Sequence, residues 1–183
     1  MLQFPKPYAD TVARLRVPSG FLIVLVFALF SHPTPSSLSY GLPISILGLA
    51  LRAWAAGCLA KNSRLATSGP YAHMRNPLYI GTLLVSAGLA IAARSPGLGV
   101  LFVVVFLFVY LPVIQLEEQH LRRLFPEYAL YAEKVPALIP RLTPLPQSNQ
   151  TKFQPQLYMK NQEYQALGGF LIGALYLFWK TYL

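Results

Sequence analysis

The stretch GLGVLFVVVFLFVYLPVIQL, Gly97 to Leu116, decides the fold class. It carries no charged side chain over a length close to the roughly 20 apolar residues a helix needs to cross the hydrocarbon core of a bilayer. Glu117 and Glu118 follow it at once. Composition extends the same reading outward. Of the 183 residues, 55% are hydrophobic and 11% charged, against roughly 25% charged in soluble domains. Four more apolar runs flank the first: Val17 to Ser31, Tyr40 to Ala60, Pro77 to Ala93 and Tyr164 to Leu183. Val17 to Ser31 is short and must borrow flanking residues or sit in a thinned bilayer. Trp179, Tyr176 and Tyr182 near the end of the last run suit a membrane interface. The expected fold is therefore all-α, a polytopic membrane bundle of about five transmembrane helices. The expected organisation is a core over residues 1–146, a polar linker over 147–163 and a C-terminal transmembrane helix over 164–183.

Charge placement sets the expected orientation. All Lys and Arg residues except Arg52, Arg94 and Lys180 fall on one side of this alternation. Positive-inside reasoning makes that side cytoplasmic, with the N-terminus inside, as in a bacterial inner membrane. Basic residues there can hold anionic lipid headgroups. The net charge of +9 does not indicate nucleic acid, because it is not interleaved with aromatics on a water-exposed face. No cleavable signal peptide is expected, since Pro5, Lys6, Pro7 and Asp10 precede the first apolar run and no small-residue cleavage site follows it. One cysteine, Cys58, excludes an intramolecular disulfide and a cysteine-rich metal site. It reads as a small apolar helix residue. His32, His73 and His120 show no metal-ligand spacing, so no metal is expected.

Two segments on the basic side draw attention. Thr67 to Gly81 reads TSGPYAHMRNPLYIG. Gly69-Pro70 marks a turn. Pro77 can open a helix at its first turn, and a helix N-terminus offers amides and partial positive charge to an anionic group. An ordinary loop capped by Asn76 would read the same way. The second segment is Glu117-Glu118. Acidic residues at a helix C-terminus oppose the macrodipole, and adjacent carboxylates repel. Something positive is expected nearby: a basic side chain, a cationic ligand, or both. A solvated helix end paired with Arg122, at i+4 from Glu118, would read the same way. Leu124 to Ala132 is amphipathic, with Leu124, Phe125, Tyr128 and Tyr131 on an apolar side that suits the membrane surface.

Together these blocks resemble isoprenylcysteine carboxyl methyltransferases and the related phospholipid methyltransferases. Gly69, Tyr71, Arg75, Pro77, Tyr79 and Gly81 match the first block of that family's signature. Glu117, Glu118 and Leu121 match the second, and Phe125, Tyr128, Tyr131, Val135 and Pro136 the third. The resemblance covers roughly Leu49 to Pro140. It implies a pocket for S-adenosylmethionine at the cytoplasmic surface, lined by Ser63, Arg64, Leu65, Ala66, Tyr71, Asn76, Pro77, Leu78, Tyr79 and Glu117. It also implies a lipophilic or prenylated methyl acceptor that enters from the membrane lipids. Glu117 could balance a cationic group of the cofactor. Glu118 is a candidate base for an amine acceptor.

Two residues depart from the family's pattern. Asn76 stands in place of the usual histidine and cannot titrate near neutrality. Val113 stands where the prenylcysteine enzymes place an arginine thought to hold the substrate carboxylate, so that substrate does not carry over. Arg52 lies within the second apolar run, where a charge is costly unless it pairs or snorkels. Either it faces the bundle and meets Glu117, Glu118 or an anionic substrate group, or it reaches a headgroup. With Glu117 and Glu118 it completes the candidate catalytic set. An NADPH-dependent, sterol-reductase-like enzyme and a non-catalytic membrane protein that retains the fold are the other readings.

Overall fold

The computed structural model of the chain describes residues 4–146 and 152–183, and every regular element among them is helical. The helices are α1 (Lys6–Phe30), α2 (Pro35–Cys58), α3 (Pro77–Ala92), α4 (Pro96–Val105), α5 (Leu111–Leu124), α6 (Tyr128–Lys134), α7 (Pro155–Lys160) and α8 (Tyr164–Thr181). Pro35, Pro77, Pro96 and Pro155 each stand first in their helix. A residue at that position has no intrahelical acceptor for its N–H, so proline loses nothing there. Thr34 and Ser37 form a reciprocal capping box at the start of α2.

Helices α2 and α3 form the tightest pair, and small residues set their spacing. A Cβ at Gly48 would lie 2.6 Å from the carbonyl oxygen of Gly81, and one at Gly81 would lie 2.8 Å from that of Gly48. Gly41 and Gly88 meet in the same way toward the far end. Ser45 donates its hydroxyl to the Val85 carbonyl between the two contacts (3.0 Å). Where lipid removes the hydrophobic drive for association, such close backbone approach is what holds two helices together.

Helices α4 and α5 are one rod, Pro96–Leu124, joined through a π-turn at Phe106–Tyr110. Pro112 follows that turn and has no N–H to give to the carbonyl of Phe108, four residues back. The Tyr8 hydroxyl of α1 donates to that carbonyl instead (2.7 Å). Gln115 and the Phe4 backbone exchange two further bonds, which fasten the start of the chain to the rod.

The bundle has two distinct ends. At one end His32 N–H donates to Ala93 (2.7 Å), Ser37 to Ala92 (2.7 Å), and both Tyr176 and Lys180 to the Ala28 carbonyl. The other end gathers the C-terminus of α2, the start of α3, the C-terminus of α5 and the start of α8. Helix α2 and the Pro96–Leu124 rod are long and apolar enough to cross a membrane. Helix α1 joins them if its halves, Lys6–Leu15 and Gly20–Phe30, bent by 60°, count as one span. The sequence between those halves contains Pro18. Phe21, Leu25, Leu47, Val100, Ile172 and Leu175 face outward, as side chains in contact with lipid do.

Helix α1 begins at Lys6, so the short run Val17 to Ser31 does borrow flanking residues. Two differences from the sequence reading have physical causes. Tyr128 and Tyr131 do not lie on the membrane surface. Both are buried with Val135 against Leu65, Leu121 and Leu145. The stretch expected to be a linker contains α7, and its residues 152–163 dock on α2. Its residues 147–151 lie outside the described residues.

Candidate functional site

The end of the bundle that gathers α2, α3 and α5 brings the signature blocks together. The chain leaves α2, turns through 59–68 and a single 3₁₀ turn at Gly69–Ala72, and enters α3 at Pro77. The segment after α6 runs back alongside this block. Arg75 and Asn76 N–H groups donate to the Pro136 and Ala137 carbonyls (2.9 and 3.1 Å). Arg141 and Leu145 N–H groups donate to those of His73 and Ala72 (3.0 Å each). This pairing fixes the approach to α3.

The positive partner of the acidic pair is Arg75, not Arg122. Arg75 Nε meets Glu118 Oε1 at 2.9 Å and Nη2 meets Oε2 at 3.3 Å. Its Nη1 donates to the carbonyls of Ala132 and Val135 at the end of α6 (2.7 and 2.8 Å). Asn76 Nδ2 donates to the same carboxylate and to the Ala137 carbonyl (3.2 Å each). Asn76 therefore does not cap α3 with its side chain. Arg122 instead lies over the ring of Tyr128, 5.4 Å from its centroid. Glu118 is buried, and both its oxygens are engaged by cationic or amide donors. That geometry makes it a brace between α3, α5 and α6 and removes the reason to read it as a base.

Glu117, one residue earlier, is exposed. It accepts the Tyr79 hydroxyl at 2.8 Å. Tyr79 is buried against Val113 and Ile114, with the Tyr110 ring edge-on at 5.8 Å and Phe106 stacked on Tyr110 at 6.2 Å. Phe106 and Tyr110 are the two ends of the π-turn. Such a bulge rotates the side chains beyond it, and π-turns recur at functional sites. The result is an exposed carboxylate beside an aromatic wall.

The other residues implied by the resemblance divide into groups. Tyr71 and Ala66 pack with Ala55, Cys58, Leu59 and Leu78. Leu65 joins the Tyr128–Tyr131 cluster. Ser63 and Arg64 are exposed. His120 and Asn62 stand 3.4 Å apart and bring the 59–68 loop to the last turns of α5. Pro77 is buried at the start of α3. Burial above all, with nearby Tyr131, Cys58, Glu117 and Glu163, raises the Tyr71 phenol above its ordinary value. Burial and then Glu118 do the same for Tyr128. Both phenols are therefore held in the neutral form.

Arg52 does not meet Glu117 or Glu118. It pairs with Glu163, Nε to Oε2 at 3.0 Å and Nη2 to Oε1 at 2.9 Å. Its Nη1 donates to Thr82 Oγ1 and to the Leu78 carbonyl (3.3 Å). Leu78 and Tyr79 are neighbours on a helix, about 100° apart, so Leu78 faces α2 while Tyr79 faces α5. Arg52 and the acidic pair thus stand on different faces of α3. Tyr110, Phe106 and Glu163 had no signal in the sequence, since the first two depend on the π-turn and the third on a contact 111 residues away.

The donor set suits S-adenosylmethionine. An unneutralised carboxylate beside aromatic faces fits a sulfonium or ammonium, and a nearby helix start fits a carboxylate. Among the described residues no group of three His, Cys, Asp or Glu could hold a metal ion.

Comparison with known proteins supports the same core. The family model of phospholipid methyltransferases matches residues 44–128. The chain is 36% identical over 129 residues to a cobalt-zinc-cadmium resistance protein of Cupriavidus metallidurans, covering 66% of this chain and 60% of the relative. It is 34% identical over 108 residues to a nickel-cobalt-cadmium resistance protein of Alcaligenes xylosoxydans xylosoxydans, covering 56% and 51%. It is 33% identical over 81 residues to the protein-S-isoprenylcysteine O-methyltransferase B of Arabidopsis thaliana, covering 44% and 41%. The matched parts thus span between two fifths and three fifths of these relatives' lengths. No solved structure matches.

Proposed function

We propose that this integral membrane protein, whose residues 44–128 match the phospholipid methyltransferase family, is an S-adenosylmethionine-dependent methyltransferase acting on a lipophilic or prenylated acceptor. The observation that carries the reading is the unequal treatment of two adjacent carboxylates. Glu118 is buried and saturated by Arg75 and Asn76, while Glu117 is exposed and oriented by Tyr79. A carboxylate held in place but not neutralised is what a cationic ligand requires. The two metal-resistance names belong to relatives and supply no metal site for this chain.

When bound, S-adenosylmethionine supplies an electrophilic methyl group. Glu117 opposes its positive charge, and Tyr79 fixes the carboxylate through one hydrogen bond. Tyr110 and Phe106 would line the Tyr79 side of the site with aromatic surface. The start of α3 would hold the cofactor's carboxylate end, while Ser63 to Ala66 would flank it from the loop. Asn76, whose amide is taken by Glu118 and Ala137, holds Glu118 in place. Methyl transfer then rests on in-line placement of the acceptor more than on proton chemistry. Val113 is buried against Tyr79, so the position gives no cation to an acceptor carboxylate, and a prenylcysteine acceptor has no anchor there.

The accompanying topology is five crossings by α1, α2, α3, the α4–α5 rod and α8, with the site and the N-terminus cytoplasmic in a bacterial inner membrane. Its support is the alternation of helix ends between the two ends of the bundle. The site end also carries Lys61, Arg64, Arg75, Arg122 and Arg123.

Thermal unfolding of the detergent-solubilised protein tests the cofactor. S-adenosylmethionine should raise the midpoint, because a ligand that binds only the native state stabilises it. Glu117→Ala should lose that gain. A shift with NADPH instead, or none at saturating S-adenosylmethionine, overturns the proposal.

A further inference from the structure

The C-terminal segment lies outside the region matched to the family, yet it closes the end of α2. The last carbonyls of any helix have no intrahelical donor and must find one elsewhere. Helix α2 finds it in residues 152–163. Asn161 Nδ2 donates to the Ala56 carbonyl at 3.0 Å and to the Leu59 carbonyl at 2.9 Å. The Gln154 N–H donates to Gly57 at 2.9 Å. The Phe153 ring rests on Gly57 where a side chain would otherwise be. Two residues beyond Asn161, Glu163 takes Arg52, whose remaining nitrogen holds the Leu78 carbonyl in the first turn of α3.

These contacts act on both boundaries of one block. Asn161 and Gln154 set where α2 stops, and the 59–68 loop begins there. Glu163, through Arg52, reaches the first turn of α3, where the block ends. The geometry points to Asn161 and Glu163 as positioning residues for the cofactor block, residues 59–78, with the C-terminal segment as a strap that holds it in register. The assignment rests on the cofactor reading above for the word cofactor, but not for the mechanical role. It also changes the role of Arg52. All three of its guanidinium nitrogens are engaged within the protein, so it transmits the strap's hold and does not bind substrate.

The lone cysteine is a built-in reporter. Cys58 is 1% exposed, covered by Tyr71 and by Gly69, where a Cβ would lie 2.8 Å from its Sγ. It is thus covered by the block itself, and becomes accessible when the block shifts. The experiment measures maleimide labelling of Cys58 and S-adenosylmethionine binding in the full chain in lipid nanodiscs, for wild type, Asn161→Asp, Glu163→Gln, and the charge swap Arg52→Glu with Glu163→Arg. Asn161→Asp keeps the volume but has no N–H to donate. Its carboxylate also faces the Ala56 and Leu59 carbonyls, so the variant lifts the strap both by the lost donor and by repulsion.

Expected are a protected thiol in the wild type and labelling about tenfold faster in both single variants, the factor that corresponds to about 1.4 kcal/mol. A matching loss of S-adenosylmethionine affinity should accompany it, and the swap should stay labelled, because Arg52→Glu leaves the Leu78 carbonyl without its donor even where the ion pair reforms. If Cys58 stays protected in both single variants, the strap does not position the block and the inference falls. If the thiol is exposed in the variants but wild type binds no S-adenosylmethionine, the strap stands and the cofactor reading falls.

Discussion

Two ion pairs brace the site end of the molecule, and they differ in what they join. Arg75–Glu118 lies wholly within the region matched to the family and ties α3 to α5 and α6. Arg52–Glu163 crosses out of that region and ties α2 and α3 to the segment before α8. Both use a two-toothed guanidinium–carboxylate contact, and both place a backbone carbonyl on a spare arginine nitrogen. Arg75 is the more enclosed of the two arginines, with 11% of its side chain exposed against 21% for Arg52, while Glu118 and Glu163 are equally enclosed. The difference teaches that the same device builds the core once and attaches an outlying element once. Neither pair is left over for chemistry, and of the two adjacent carboxylates Glu117 is the one that stays available.

The sharpest way to break the comparison is to remove one arginine at a time. Arg75→Ala strands a buried carboxylate and frees the Ala132 and Val135 carbonyls. Leaving a buried charge unpaired costs about 3–5 kcal/mol, so the folded population in detergent should collapse. Arg52→Ala should cost less, because Arg52 is more exposed and Glu163 can reach water when the strap lifts. Chemical denaturation of both variants measures the ranking. Equal losses would show that the strap is as integral as the core.

A smaller effect is expected between the two pairs, at Gly81. A Cβ there would lie 2.5 Å from Arg52 Cγ and 2.8 Å from the Gly48 carbonyl oxygen. Gly81→Ala should therefore push α2 from α3 and cost about 1–3 kcal/mol, as overpacking does. It should loosen Arg52 and leave Arg75–Glu118 intact. Cys58 labelling would rise in this variant if the strap and the helix pair share one register.

Much of this was legible from the residues. The apolar run 97–116 and Pro77 specified helices, and the ordered blocks 69–81 and 117–136 specified which loops converge. What could not be read has a common cause. Hydropathy reports burial in lipid or core, and the 152–163 segment is polar, so its docking through Asn161 and Glu163 left no trace. Arg52 signalled that it needed a partner but not which one, since the partner sits 111 residues away. The aromatic wall depends on a π-turn that no residue pattern announced. Gly81 was read within a cofactor signature, whereas its contacts show a packing glycine.

At Tyr79 the two roles of the site come apart. Its hydroxyl holds Glu117, and its ring fills the space beside Val113. Tyr79→Phe removes only the hydrogen bond, worth about 0.5–1.5 kcal/mol net. Stability should fall by that much or less, because Glu117 is exposed and can turn to water. S-adenosylmethionine affinity should fall further than stability does, since the carboxylate loses its fixed orientation. A thermal midpoint that drops with affinity unchanged would make Tyr79 a packing residue only.

The smallest expected effect concerns alkaline pH, and it separates the two braces by their neighbours. Tyr128 and Tyr131 pack beside Arg75–Glu118, and burial raises both phenols above their ordinary value of 10.0. Below that value both the folded and the unfolded chain hold these protons, and pH has no effect through them. Above it the unfolded chain loses protons that the folded chain keeps. Stability through these groups is therefore present below pH 10 and is lost as pH rises. Tyr128→Phe removes one such group, so its stability should decline less steeply between about pH 9.5 and 11 than that of the wild type. Glu163→Gln leaves both phenols in place and should keep the wild-type slope. If the two variants show the same slope, the tyrosines beside Arg75–Glu118 ionise in the folded protein as freely as in the unfolded chain, and that brace is no better sealed from water than Arg52–Glu163.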